Sequence, residues 1–294
     1  MRIPVIINAT AGTGWDETRL DGLAQAFRDA GVEVELLAAR SGDEIRAHAK
    51  AALAKNPATV VAGGGDGTIS SVAALVHGSP VALGVLPLGT LNHFAKDLGV
   101  PLDLAEAVAV IARGKVIEVD VGEVNGRVFL NNSSLGIYPD IVRDRKRQQH
   151  RLGRGKRWAL VWASLTALRR SAFLHLRITV DGVERVVRTP FIFIGNNAYI
   201  MEGFQIGKRE GLQDGKLSVY FTRRPTRLGL IALGLRALFG QLRQARDFEA
   251  LLAAEVTVET RHSRLPISGD GEVFAEKSPF EYRIRPRALK VIAP

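Results

Sequence analysis

An apolar, strand-like run at residues 59–62 passes through Gly63-Gly64-Gly65-Asp66-Gly67-Thr68 into residues 69–76, where apolar positions recur at helical spacing. A buried strand that turns within a few glycines into a helix is half of a βαβ unit, and such units build a parallel sheet with helices packed on it. The rest of the N-terminal part keeps this rhythm. Strand-like residues 3–8 precede a helix over 18–30, residues 32–37 precede one over 43–54, and a strand at 81–86 precedes helical spacing at 104–113. Beyond this the period shortens. Runs at 116–124, 127–131, 176–180, 183–188, 191–194, 217–222 and 256–260 predict a mostly antiparallel second domain. With 294 residues, 46% of them hydrophobic, the chain can bury two cores. The expected domains are 1–124, joined by a returning segment at 284–294, and 125–283.

Zero cysteines exclude a disulfide framework and a thiolate metal site. Met1-Arg2 leads directly into residues 3–7 without a signal-peptide hydrophobic region, so the protein is expected to be cytoplasmic. No apolar stretch approaches the roughly 20 residues that a spanning helix needs. The net charge of +10 is unevenly divided: residues 1–124 hold 10 Lys+Arg against 15 Asp+Glu, leaving the whole basic surplus in the second part. That field favours an anionic partner, either nucleic acid or an acidic membrane surface.

The glycine loop lies at the carboxyl edge of the expected parallel sheet, where ligands bind. Bare backbone amides beside a helix N-terminus can hold phosphate, and a Cβ would keep the phosphate away from them. Asp66 then fits a cation that accompanies the phosphate. No Gly-Lys-Ser/Thr follows, and the spacing is not Gly-x-Gly-x-x-Gly, so this is neither a Walker loop nor a dinucleotide fingerprint. Two more small, polar loops follow expected strands: Asn8-Ala9-Thr10-Ala11-Gly12-Thr13-Gly14 and Pro87-Leu88-Gly89-Thr90-Leu91-Asn92. Together the three would line one cleft.

Gly64-Gly65-Asp66-Gly67-Thr68, the loop from Pro87 to Asn92, and Asp270-Gly271-Glu272 form an ordered set that resembles the diacylglycerol kinase-type lipid kinases, including bacterial diacylglycerol, sphingoid and ceramide kinases. The resemblance covers nearly the whole chain. It implies a Rossmann-like α/β nucleotide-binding domain and a C-terminal antiparallel β-sandwich that takes the lipid, with the active site in the cleft between them, as in NAD kinases. It also implies ATP as co-substrate and Mg²⁺ as cofactor. Carried over by position, Asn8, Gly12, Gly64, Gly65, Asp66, Gly67, Thr68, Gly89, Thr90 and Glu272 contact the nucleotide or its metal, Asp66 organises Mg²⁺, and Asp270 is the general base toward the lipid hydroxyl.

Asp-Gly is also a hairpin signal. Asp181-Gly182, between two alternating strands, reads as a plain turn; Asp214-Gly215 reads either as a turn or, by the resemblance, as part of a structural cation site; Asp270-Gly271 would be a hairpin on sequence alone. Three residues depart from the family pattern: His93 stands where Asp is common, Ser218 where a second Asp often follows the Asp-Gly pair, and Arg40 near a customary threonine. The run from Arg143 to Arg157 (RDRKRQQHRLGRGKR) carries eight Lys/Arg and one acid, and reads either as a solvated face or, in a lipid kinase, as a dock for anionic headgroups. Amphipathic spacing at 157–170 and from Thr226 to Phe239 suits either core-covering helices or a membrane surface. Interleaved aromatics and nucleic-acid motifs are absent, so no nucleic acid is expected. A homodimer is compatible with the sequence. A soluble NAD kinase-like enzyme and a non-catalytic nucleotide- or lipid-binding regulator are the competing readings.

Overall fold

The computed structural model describes residues 2–136, 173–200, 208–209, 211–222, 226, 229 and 248–294. The chain divides into two compact units, Met1–Val121 with Arg285–Pro294, and Gly122–Ile284. The basic run 143–157, the expected helix over 157–170 and most of that over 226–239 lie outside the described residues. Among the described residues no helix is long and apolar enough to cross a membrane.

The first unit alternates β1 (Ile3–Asn8), α1 (Glu17–Asp29), β2 (Val34–Ala39), α2 (Gly42–Leu53), β3 (Thr59–Gly64), α3 (Asp66–Val76) and β4 (Ala82–Pro87), followed by α4 (His93–Asp97), α5 (Leu104–Arg113) and β5 (Val116–Val124). Its strands pair in parallel in the order β2-β1-β3-β4. Val5, Ile6, Ile7, Val60, Val61, Ala62, Leu83 and Leu86 are fully buried, because strands covered on both faces read as continuous apolar runs. The helix starts are written in side chains. Asp16, Ser41 and Asp103 accept from the amides of Arg19, Glu44 and Glu106 at 3.0, 3.2 and 3.0 Å, as N-caps do. Glu44 reaches back to the Arg40 amide at 2.8 Å, which gives the backbone at Arg40 a local role while its side chain stays exposed. The short helix α4 was not expected from the sequence.

The second unit contains β6 (Arg127–Phe129), β7 (Asn132–Gly136), β8 (Leu174–Val180), β9 (Val183–Thr189), β10 (Phe191–Asn196), β11 (Tyr199–Ile200), β12 (Lys208–Arg209), β13 (Leu217–Thr222), β14 (Phe248–Ala253), β15 (Glu255–Thr260), β16 (Arg264–Gly269), β17 (Glu272–Lys277) and the start of β18 (Phe280–Ile292). Described strands form one antiparallel sheet in the order β14-β13-β10-β7-β16-β17, and β15, β8 and β9 follow the beginning of β18 in another. Leu135, Ile192, Ile194, Leu217, Val219 and Ile267 from one sheet share a core with Leu176, Ile178, Val256, Val258, Phe280 and Tyr282 from the other, the packing of an antiparallel β-sandwich. Burial pushes the Tyr282 hydroxyl well above the ordinary phenol range, and its hydrogen bond with Ser133 at 3.1 Å opposes this more weakly.

One difference from the sequence reading has a physical cause. The strand expected over 127–131 stops at Phe129, because the next three amides turn to a side chain instead of a neighbouring strand. The last strand, β18, is continuous over Phe280–Ile292: its beginning pairs antiparallel with β15, and Val291 pairs in parallel with Leu83 of β4. At Arg287 the backbone enters the left-handed region (φ 52°), and the buried Asp120 carboxylate holds the Arg287 amide at 2.8 Å.

Candidate active site

The strands β1, β3 and β4 are neighbours, so the loops after them meet at one edge of the sheet. Asn8 closes β1. Its Nδ2 donates to Thr68 Oγ1 at 3.2 Å, and its Oδ1 accepts from the amide and hydroxyl of Thr10 at 3.0 and 2.7 Å. One side chain thus ties the first loop to the start of α3. Thr68 is buried and acts as the other half of that tie. Gly12 adopts φ 62°, and a Cβ there would lie 3.1 Å from the Leu88 carbonyl oxygen.

The glycines after β3 have a reason that the sequence did not show. A Cβ on Gly64 would lie 2.5 Å from both Cβ and Oγ1 of Thr68, and one on Gly89 would lie 2.4 Å from the Gly65 Cα. Packing therefore requires glycine at both positions: at Gly64 the Thr68 side chain of α3 closes on the strand end, and at Gly89 the two loops pack backbone against backbone. Gly65 differs. It is the N-cap of α3, supplies no side-chain cap, and a Cβ there would meet only the Gly89 Cα at 3.5 Å, an ordinary contact.

Asp66 occupies the first turn of α3, and its Oδ1 accepts from the Phe94 amide at 3.0 Å. It therefore anchors α4 as well as presenting a carboxylate beside the glycine loop. Asn92, present in the quoted motif but not singled out from sequence, organises the third loop. It is 5% exposed and left-handed (φ 51°); its Oδ1 accepts from the Gly89 amide at 3.0 Å, and its Nδ2 donates to the carbonyls of Pro87 and Gly89 at 3.1 and 3.0 Å. An asparagine directly before a short helix was the available signal, since Asn tolerates the left-handed region and bonds its own loop. Thr90 and His93 are exposed.

The Asp270 and Glu272 pair lies in the second unit. Asp270 and Gly271 have φ values of 48° and 80° between the paired residues Gly269 and Glu272, a two-residue turn with both centres left-handed. The hairpin expected from sequence is therefore present, and the side chain does more than turn. Asp270 Oδ2 accepts from the Leu130 amide at 2.7 Å, while Oδ1 accepts from those of Asn131 and Asn132 at 2.8 and 3.2 Å. Asp181, in the same kind of turn (φ 45°), uses one oxygen to hold the amides of Ala254 and Glu255 at 3.0 and 3.1 Å. Glu272 begins β17 and is exposed.

Among the described residues no group of three His, Cys, Asp or Glu side chains gathers around a point. A single carboxylate at Asp66 fits a hard cation that brings phosphate oxygens and waters as its other ligands, not an all-protein cage. At Asp214 the amide donates to Asn197 Oδ1 at 3.1 Å, and Ser218 Oγ donates to the Asn197 carbonyl at 2.6 Å. The serine that replaces the second aspartate is fully buried and committed to that turn.

The sequence of residues 2–124 matches the diacylglycerol kinase catalytic domain, and residues 140–293 match the YegS C-terminal NAD kinase beta sandwich-like domain. A Klebsiella pneumoniae (strain 342) protein named "Probable lipid kinase YegS-like" is 41% identical over 128 residues, 42% of this chain and 43% of that one. A Chromohalobacter salexigens protein of the same name is 31% identical over 86% of this chain and 81% of its own. A Mycobacterium tuberculosis diacylglycerol kinase is 26% identical over 100% of this chain and 95% of its own. The stretches matched in the Klebsiella protein and in a Pseudomonas aeruginosa relative span only 43% and 40% of those proteins. A solved diacylglycerol kinase structure from Bacillus anthracis str. Sterne superposes with a TM-score of 0.72 at 20% identity, covering 100% of this chain and 97% of that one, which speaks to the fold alone. With an α/β unit carrying the first match and a β-sandwich carrying the second, the chain belongs to the diacylglycerol kinase-type lipid kinase family.

Proposed function

We propose that the protein transfers the γ-phosphoryl group of ATP to a hydroxyl of a membrane lipid of the diacylglycerol type, a ceramide or sphingoid base being the alternative acceptor. The observation that carries this reading is the interlock of Asn8, Gly12, Gly64, Gly65, Thr68 and Gly89, which leaves rigid, nearly side-chain-free backbone beside Asp66. Phosphoryl transfer depends on positioning and electrostatic stabilisation more than on covalent chemistry. In this reading Gly65, Gly67, Gly89 and Thr90 contribute to nucleotide binding, with Asn8, Gly12, Gly64 and Thr68 fixing the loops. Asp66 would hold Mg²⁺ with its waters, which when bound would supply charge neutralisation at the transferring group. Glu272 orients the nucleotide and metal. Asp270 accepts the proton of the lipid hydroxyl, because an alcohol is a poor nucleophile until its proton is taken during attack. His93 at the start of α4 leaves Asp66 without the customary second aspartate there. Asp214 is a candidate ligand for a structural cation.

The basic run from Arg143 to Arg157 and the amphipathic segment from Thr226 to Phe239 support docking on an anionic, cytoplasm-facing membrane surface, each Lys or Arg near it contributing about 1 kcal/mol. The test is transfer from radiolabelled ATP to mixed vesicles that contain diacylglycerol, ceramide or a sphingoid base, run beside soluble NAD. Label in diacylglycerol is the expected result; label in NAD alone overturns the lipid reading, and none anywhere favours a regulator.

A further inference from the structure

The second unit buries a guanidinium against the peptide group that holds the Asp270 carboxylate. Arg209, in β12, is 5% exposed and lies with its Cζ 5.8 Å from the centre of the Tyr199 ring. Its Nη1 donates to the Leu130 carbonyl at 2.6 Å, and its Nη2 donates to Asn131 Oδ1 at 3.1 Å. Asn196, fully buried at the end of β10, donates its Nδ2 to the same Leu130 carbonyl at 2.8 Å, and its amide donates to the Asn131 carbonyl at 2.9 Å. Burying a charged side chain carries a desolvation cost that its hydrogen bonds and charge contacts offset.

What distinguishes this carbonyl is the other end of its peptide group. The Leu130 C=O and the Asn131 N–H belong to one planar amide, and that N–H donates to Asp270 Oδ1 at 2.8 Å. Donation into the oxygen of an amide, above all from a cation, polarises the group and strengthens its N–H as a donor. The flanking amides of Leu130 and Asn132 complete the grip on the carboxylate at 2.7 and 3.2 Å. We propose that Arg209 and Asn196 are positioning residues for Asp270, acting through the single peptide group that joins Leu130 to Asn131. The inference rests on the reading of Asp270 as the base. Arg209 fixes the orientation of the Asp270 carboxylate and bonds neither Glu272 nor the first unit's loops in any contact named above, so nucleotide binding is expected to be unaltered.

The experiment uses the full chain with ATP and vesicles of the lipid that the wild type phosphorylates. It compares Arg209→Gln, Arg209→Lys, Asn196→Ala, Asp270→Asn and the double variant Arg209→Gln/Asp270→Asn, each with its melting temperature. Arg209→Gln is expected to lower kcat about 10- to 100-fold, the range that a misplaced catalytic group costs, with the KM for ATP unchanged. Arg209→Lys, which keeps a cation within reach of the Leu130 carbonyl, recovers part of that loss. In the Asp270→Asn background Arg209→Gln adds no further loss, because residues that act as a unit are not additive. Wild-type kcat in a folded Arg209→Gln protein overturns the proposal while leaving the Asp270 reading intact; so does an equal loss with and without Asp270. Wild-type kcat in Asp270→Asn overturns the base reading itself. If Arg209→Gln does not fold, Arg209→Lys carries the comparison. Hydrogen exchange at residues 130–132 tests the link without activity: exchange as slow as in the wild type in a folded Arg209 variant removes the proposed connection.

Discussion

Alanine at Gly65 and alanine at Gly89 separate the two reasons for a glycine in these loops. At Gly89 the new Cβ would lie 2.4 Å from the Gly65 Cα and 2.8 Å from Asn92 Oδ1. Carbon atoms in good contact are about 3.5–4.0 Å apart, so the two loops must separate by about 1 Å. Overpacking of this kind costs about 1–3 kcal/mol, or several degrees of melting temperature in a unit of this size. The displaced loop also carries the Asn92 bonds, so turnover falls on the order of 10²-fold. At Gly65 the nearest atom is the Gly89 Cα at 3.5 Å, and the backbone (φ −85°, ψ 180°) suits any residue. Exchanging a glycine N-cap for the poorer alanine costs about 1 kcal/mol, so the fold is retained. If ATP phosphate approaches this backbone, the methyl group removes one charge-assisted hydrogen bond of about 1.5–3 kcal/mol, or roughly 10- to 150-fold in Kd. Calorimetric titration of ATP beside thermal unfolding of both variants is the assay. A Gly65→Ala protein that melts and binds ATP like the wild type refutes the phosphate-approach argument, and a Gly89→Ala protein with unchanged melting refutes the packing argument.

Asp270→Asn is expected to reduce turnover on the order of 10²-fold or more with ATP binding retained, and also to lower the melting temperature, because the amides of Leu130, Asn131 and Asn132 lose a charged acceptor; Asp181→Asn, in a turn of the same design, should lower melting without touching kcat. Asn92→Ala should destabilise the first unit by about 1–3 kcal/mol, seen in chemical denaturation, since it strips bonds from three backbone groups. Tyr282 is held neutral by burial, so in the unfolded chain it ionises at a lower pH than in the native one. Stability from this group is complete below about pH 10 and is lost as pH rises past it; a Tyr282→Phe protein should show a shallower alkaline decline in denaturation midpoint. Flotation with anionic vesicles should weaken as salt rises, and salt-independent flotation would remove the electrostatic docking argument.

Local chemistry made much of the fold legible. The residues from 3 to 113 advertise their strands by continuous apolar runs and their helices by caps at Asp16, Ser41 and Asp103. Strand β13 and helix α5 match their expected bounds, the strand as a short run buried on both faces after Asp214-Gly215 and the helix by apolar recurrence between Asp103 and Gly114. Residues 130 and 131 were misread for the opposite reason: they continue the strand in apolar and polar order, but their amides are claimed by an aspartate about 140 residues away, and no local pattern encodes that. The same holds for Arg209, whose hydrogen bonds reach residues 79 and 78 positions away, whereas Asn92 bonds within its own loop, at Pro87 and Gly89. The three loop motifs were visible as compositions, whereas the cause of Gly64 is the closeness of the Thr68 side chain and that of Gly89 the closeness of the Gly65 backbone, distances that composition cannot supply.

The final strand has a consequence for synthesis. Leu83 in β4 pairs with Val291, so one side of the parallel sheet waits for a partner that is made about 200 residues later. At 5–20 residues per second this is roughly 10–40 s during which β4 presents an open, apolar edge on a nascent chain. The segment that closes the first unit is also the continuation of the strand paired to β15 in the second, so each newly made molecule passes through an interval in which aggregation competes with closure.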